Sequence, residues 1–299
     1  MKTKVELSDV FLKFSTAYKA EYGGYMMPSQ FKAMDDISNC MTEKMGGGRY
    51  QCNDCRESFW SYHGCRNRSC PKCHGRQTVE WLEKRLAEIF SCEYFHVIAT
   101  VPHQLNNLFS GNQKIMYSIL MKAAADSIKE LSMDKKYVGG EVGILSVLHT
   151  WTATIKYHPH VHMLVTGGGI DKDRQMWHEA SYGFLVPVKK LSPLISKKFS
   201  KLLQDQHQEI YDRIDKKVWH KEWCSYCKSY GRGNDAVLKY LARYVFRIAI
   251  TNARILNMDD KKVTFRYKDN NTWKMKVQTI SGVEFSREPR QVFSSSLAE

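Results

Sequence analysis

Six of the nine cysteines in this 299-residue chain fall between Cys40 and Cys73, and a cluster that dense dictates how the surrounding segment can fold. Cys52-Asn-Asp-Cys55 and Cys70-Pro-Lys-Cys73 are two Cys-x-x-Cys turns separated by fourteen residues. Each turn offers two thiolates to one ion, and two turns close a tetrahedral shell with no position left open. The spacing predicts a structural zinc site on Cys52, Cys55, Cys70 and Cys73, in a module too small to fold without its metal. Cys40 and Cys65, with His63 and His74 nearby, either form part of a second site, replace a ligand of the first, or are buried thiols and surface imidazoles. Cys224 and Cys227 make a further Cys-x-x-Cys, but in a strand-like stretch where i and i+3 face opposite sides, so they read as core or incidental cysteines.

Zinc rather than disulfides presupposes a reducing compartment. The charged start, Met1-Lys-Thr-Lys-Val-Glu-Leu-Ser-Asp9, lacks the apolar centre of a signal peptide. No apolar run approaches the ~20 residues that span a bilayer, so a cytoplasmic protein without a membrane partner is expected. Lys and Arg total 45 against 31 Asp and Glu, a net charge of +14. That excess favours a polyanionic partner, with nucleic acid the first candidate.

The pattern along the chain mixes helices and strands. Val10, Phe11, Phe14 and Tyr18 recur at helical intervals, and Gln77 to Phe90 reads as a connecting helix. Tyr94 to Val101, Gly143 to Trp151, His158 to Thr166, Phe184 to Val188 and Val218 to Tyr226 read as strands. Lys114 to Leu131 and Ser192 to Ile214 read as helices, and Asn234-Asp235 offers the start of another. The expectation is an α+β fold, a mostly antiparallel sheet with helices packed on it. Three regions follow: a helix plus zinc module over 1–88, the sheet domain with its tyrosine helix over 89–256, and a C-terminal extension over 257–299.

Within the sheet domain, His158-Pro-His160-Val-His162 carries the chemistry. His160 and His162 lie at i and i+2 of a strand, so both imidazoles share a face and can converge on one divalent ion, while Val161 points into the core. Two histidines are a thin ligand set, and His149 or His158 supplies the third donor, with His149 preferred because His158 precedes Pro159. Tyr240 and Tyr244 stand one helical turn apart, at the seam between an apolar stripe (Val237, Leu241, Val245, Ile248) and a face bearing Arg243, Arg247 and Arg254. The arginines are candidate DNA contacts. A tyrosine has an ordinary pKa near 10 and needs help to act as a nucleophile; an ion on the histidines would supply it by polarising a scissile phosphate.

With these residues assembled, the chain resembles the two-tyrosine HUH (His-hydrophobic-His) rolling-circle transposases of bacterial insertion sequences, from about Ser38 to Phe285. The likeness rests on Cys65-Arg-Asn-Arg-Ser-Cys-Pro-Lys-Cys73, Thr100-Val-Pro-His-Gln-Leu105, Leu148-His-Thr-Trp151 and His158-Pro-His-Val-His162. Gly167-Gly-Gly169, Tyr240-Leu-Ala-Arg-Tyr244 and Val263-Thr-Phe-Arg-Tyr-Lys-Asp269 follow in the same order. The resemblance implies an HUH-nuclease fold behind a zinc-binding domain, single-stranded DNA at transposon ends and target as partner, a 5′-phosphotyrosine intermediate, and Mg²⁺ or Mn²⁺ as catalytic ion. It gives His160 and His162 the metal role, and Tyr240 and Tyr244 the nucleophile role. Two departures stand out: Ser69 occupies a position that is commonly His, and the residues after Glu284-Phe285 differ from the usual basic, aromatic continuation, as expected of a truncated end. The competing expectations are a replication initiator or relaxase with the same chemistry, and a zinc-dependent DNA-binding remnant of a decayed element without catalysis.

Overall fold

The computed structural model describes residues 4–67, 69–73, 89–154, 156–171, 173, 175–221, 223, 225–240, 244, 248, 250–269 and 272–286. These fall into two compact units, one drawn from 1–81, 151–157 and 248–294, the other from 82–150 and 158–247. The expected helix over 77–90 lies almost wholly outside the described residues.

The first unit joins segments far apart in sequence. Helices α1 (Leu7–Tyr22) and α2 (Pro28–Ser38) pack on each other, and β8 (Ile255–Met258), β9 (Lys262–Lys268) and β10 (Met275–Ser281) form an antiparallel sheet in the order β10-β9-β8. Asp9 closes the start of α1 by accepting the Glu6 N–H at 2.9 Å, and Pro28 sits where a helix loses nothing by lacking an N–H. The helical repeat buries Val10, Phe11, Phe14 and Tyr18 in one core with Met34, Ile37, Val263, Phe265, Phe285 and Trp151. Each such side chain contributes about 1.5–3 kcal/mol on burial, so Ile255, Val263, Phe265 and Phe285 tie this sheet to the N-terminal helices. A separate hairpin, β1 (Gly47–Gln51) with β2 (Ser58–Tyr62), leads into the cysteine segment.

The second unit is built on a mixed layer of sheet and helix. Its strand order is β4-β5-β3-β7, from β4 (Glu141–Trp151), β5 (Tyr157–Asp171), β3 (Glu93–Thr100) and β7 (Ser225–Arg232), with the short β6 (Met176–Glu179) paired to β5. The β3/β5, β3/β7 and β5/β6 pairs are antiparallel. The three glycines near the end of β5 permit close approach: a Cβ on Gly168 would overlap the Trp177 indole, and one on Gly169 the Gly140–Glu141 backbone. Helices α3 (Asn106–Gly111), α4 (Gln113–Met133), α5 (Val188–Gln206) and α6 (Gln208–Tyr211) follow, α4 and α5 packing together with Phe109 stacked on Phe199. Helix α7 (Gly233–Tyr240) packs against β3 and β7.

Register sorts the sheet into two chemistries. Val161 pairs with Ala99, Met163 with Val97 and Val165 with Phe95, and all six side chains are buried and apolar. The alternate residues, His160 opposite Thr100, His162 opposite Ile98 and Leu164 opposite His96, occupy the other face. A one-residue slip would exchange the faces, so the apolar set pins the histidines in place.

Three local expectations need correction. Phe184 to Val188 forms no strand; Leu185 and Val186 are buried in a turn that enters α5 through Pro187. A short apolar run does not by itself distinguish a strand from a buried connection. The helix expected over 192–214 breaks at His207, whose non-helical backbone separates α5 from α6. Val218 opens no strand either: Lys216–His220 is a 3-10 turn in which Asp215 accepts the Lys217 N–H, and β7 begins only at Ser225. Trp219 and Trp223 in that stretch stack on each other and against Phe199, which explains their strand-like composition.

Candidate active site and zinc cluster

His149 from β4 and His160 and His162 from β5 bring one ring nitrogen each within 4.8 Å of one another. His149 and His162 are buried and His160 is half-buried. For two of the rings, hydrogen bonds to carbonyls decide which nitrogen is left. His160 Nδ1 donates to the carbonyl of His158 at 2.7 Å, and His149 Nε2 donates to the backbone carbonyl of Tyr244 at 2.7 Å. A carbonyl can only accept, so these nitrogens carry the protons, leaving His160 Nε2 and His149 Nδ1 with lone pairs. Such outer bonds fix tautomer and ring orientation around a metal. His158 itself stays outside this trio, and burial lowers its pKa.

Three neutral imidazoles are the donor chemistry of a borderline divalent transition ion. Mg²⁺, which prefers oxygen ligands, is the poorer match to such a set.

The two tyrosines differ sharply. Tyr244 is half-buried, its ring stacked on His162 with centroids 4.4 Å apart and tilted against His96 at 4.5 Å. Tyr240, at the end of α7, is fully buried, and its hydroxyl has no hydrogen-bond partner among the described residues. Burial, followed by the neighbouring Tyr244 and Tyr230, raises its pKa well above the usual value. In this conformation one tyrosine lies beside the histidines and the other is stowed as a neutral phenol.

In the first unit, Cys40, Cys65, Cys70 and Cys73 bring their sulfurs within 4.8 Å of one another. The Cys40–Cys73 and Cys65–Cys73 separations are 3.4 and 3.8 Å, close to the roughly 3.8 Å edge of a tetrahedron with ~2.3 Å Zn–S bonds. Cys40 follows α2, and the other three lie beyond β2. A Cβ on Gly64 would press on Cys73 Sγ at 2.8 Å, so this glycine lets the sulfur approach. Asn67 ties the loop down by donating to Asp36 Oδ2 at 3.0 Å. Cys70 is held down to about 5, chiefly because the Cys65 thiol donates to it, while burial pushes Cys40 up to about 11. Thiols must deprotonate to bind a cation, so filling this cluster releases protons. Cys52 and Cys55 stand apart at the far end of the β1–β2 hairpin, half-buried and exposed, and are not in this group.

The remaining candidates divide. Arg254 turns its guanidinium inward, Nε donating to the carbonyl of Arg266 at 2.9 Å and Nη2 to that of Ala153 at 3.0 Å. Arg243, Arg247, Cys224 and His74 lie outside the described residues. Cys227 sits half-buried on β7. The residue that sequence reasoning passed over is His96, whose Nε2 lies 2.9 Å from His162 Nδ1. The available signal was a histidine amid the apolar run of β3, in register with the His160/His162 face.

Residues 143–292 match the family model described as "Putative transposase", and residues 10–101 match the "Transposase zinc-binding domain" model. The chain is 31% identical over 299 residues to the "Putative transposase y4qJ" of Sinorhizobium fredii, covering 94% of this chain and 75% of that one. It is 26% identical over 286 residues to the "Transposase for insertion sequence element IS801" of Pseudomonas savastanoi pv. phaseolicola, covering 89% and 67%. No solved structure matches it. No helix among the described residues is long and apolar enough to cross a membrane.

Proposed function

The chain belongs to the two-tyrosine transposase family, with a transposase zinc-binding domain at its N-terminus, and on that premise we propose that it nicks and rejoins single-stranded DNA at transposon ends through a phosphotyrosine intermediate. The observation that carries this reading is the Tyr244 ring stacked against His162 in a trio of imidazoles. His149, His160 and His162 would hold the divalent ion, which supplies Lewis-acid stabilisation of a phosphate's developing charge.

The chain's own residues do the rest. Tyr244 Oη attacks the phosphorus in line with the 3′ oxygen; the tyrosine O–P bond forms as the P–O3′ bond breaks. The phenol proton is lost to solvent, and the departing 3′ oxygen takes one up. The 5′ end stays on the protein as a phosphodiester, conserving the bond energy for rejoining. His149 Nε2 binds the Tyr244 carbonyl, so one side chain of the trio also places the nucleophile's backbone. Tyr240 serves a second strand transfer and must leave its buried position to do so. The zinc-binding domain, with Cys40, Cys65, Cys70 and Cys73 as ligands, is structural, and the net charge of +14 draws in the DNA backbone.

The test is cleavage of single-stranded oligonucleotides spanning the element's ends, with Mn²⁺, Mg²⁺ or chelator, resolved on a denaturing gel. A Mn²⁺-dependent covalent protein–DNA band, lost in Tyr244→Phe and weaker with Mg²⁺, is expected. Tight binding of the ends with no covalent product under any metal would leave a zinc-dependent DNA-binding protein without catalysis.

A further inference from the structure

We infer that His96 is a positioning residue that holds His162 in its metal-ligating tautomer and sets the spacing between the histidine trio and both tyrosines. The inference rests on the proposed role of His162 as a metal ligand and extends it one residue outward.

The geometry begins in the sheet. His96 lies in the middle of β3, buried, on the face shared with His160 and His162. Its Nε2 is 2.9 Å from His162 Nδ1, and the two rings stack with centroids 5.2 Å apart. A single proton lies between these two nitrogens when both rings are neutral, and two arrangements are open. If His96 donates, His162 carries its own proton on Nε2 and has no lone pair left for an ion. If His162 donates from Nδ1, its Nε2 lone pair is available, as in His160, whose Nδ1 is likewise committed to an acceptor. Only the second arrangement suits a metal ligand, so His96 must act as the acceptor, with its own proton on Nδ1.

His160 and His149 are oriented by carbonyl oxygens, which accept unconditionally. His162 is oriented by another imidazole, which makes His96 necessary for the tautomer. The same ring touches the nucleophiles. Its centroid lies 4.5 Å from that of Tyr244 and 5.5 Å from that of Tyr240, with Tyr226 and Tyr230 at 5.6 and 5.8 Å. His96 therefore fills the space between a metal ligand and both tyrosines, and removing either its acceptor or its ring has separable consequences.

Two variants of the full chain separate them. His96→Phe keeps a ring and deletes the acceptor. His96→Gln places an amide oxygen near the position of Nε2 and deletes the ring. The readout independent of catalysis is Mn²⁺ affinity, from the electron paramagnetic resonance signal of free Mn²⁺ in a titration without DNA. His96→Phe should weaken Mn²⁺ binding by about 10–100-fold, the usual cost of losing such a partner. His96→Gln should recover most of that loss while cleaving slowly at saturating Mn²⁺, because the tyrosines lose their spacer. Wild-type Mn²⁺ affinity in His96→Phe, or equal impairment of both variants, would overturn the inference in favour of plain packing. Should His96→Phe fail to fold, as judged by circular dichroism, His96→Gln still decides: Mn²⁺ affinity no better than that of His162→Ala refutes it. If the wild-type chain binds no Mn²⁺ that His162→Ala loses, the metal site and the His96 role fall together. If it binds Mn²⁺ this way yet never cleaves DNA, the proposed function fails, and the affinities alone still judge His96.

Discussion

Replacing Tyr240 by Phe should make the protein more stable. The hydroxyl is fully buried and has no partner among the described residues, so the folded state has given up its water hydrogen bonds without replacement. Leaving such a group unpaired costs about 1–3 kcal/mol, and deleting the oxygen while keeping the ring returns that amount. At roughly 2–4 °C per kcal/mol for a domain of this size, the melting midpoint of the sheet unit should rise by several degrees. The pH dependence sharpens the argument. Burial raises the folded-state pKa of Tyr240, so the unfolded chain ionises first, near pH 10. Stability contributed by the protonated group is whole below about pH 10 and is lost as pH rises from there towards the folded value. The Tyr240→Phe variant would have no such loss, and its advantage over wild type should grow by about 1.4 kcal/mol between pH 9 and 11. Urea unfolding of both proteins at these two pH values, followed by tryptophan fluorescence, measures it. A Tyr240→Phe variant less stable than wild type, or an advantage that does not change with pH, would show that the hydroxyl is hydrogen-bonded or solvated and would remove the argument that this tyrosine is stowed.

Three further outcomes are expected. Tyr244→Phe should lower the rate of the first covalent adduct by more than ~10³-fold, since among the described residues no other tyrosine stacks on the histidine trio, whereas Tyr240→Phe should leave first cleavage near wild type and block the second transfer; single-turnover gels on one-end and two-end substrates separate these. Cys70→Ser and Cys40→Ser should each release one equivalent of zinc, read with a chromogenic chelator, and unfold the cysteine module, while Cys52→Ser should keep that ion. Arg254→Ala should cost about 1–3 kcal/mol, because two charge-assisted bonds to carbonyls are lost, with the salt slope of single-stranded DNA binding unchanged; a slope reduced by about 0.7 would instead return Arg254 to the DNA face.

Much of the site was legible because its rules are local. Strand alternation alone put His160 and His162 on one face and Val161 on the other, and helical spacing put Tyr240 beside Tyr244. The α+β class followed from the same periodicities. Tertiary structure decided the partners that local rules do not reach. Cys40, 33 residues from Cys73, meets it at 3.4 Å, although two Cys-x-x-Cys turns suggested a different foursome. Residues 255–285 join the core of α1 and α2, which no sequence interval signals. Arg254 lies on an arginine face by its spacing, yet its guanidinium turns inward to backbone carbonyls. The sequence by itself determined which residues share a strand face or a helical turn, since periodicity and residue type act within a few positions. Only the folded chain decided which nitrogen His149 and His160 have left, that Tyr244 rather than Tyr240 lies against the trio, and that His96 adjoins them, because hydrogen-bond partners and burial depend on segments brought together from far along the chain.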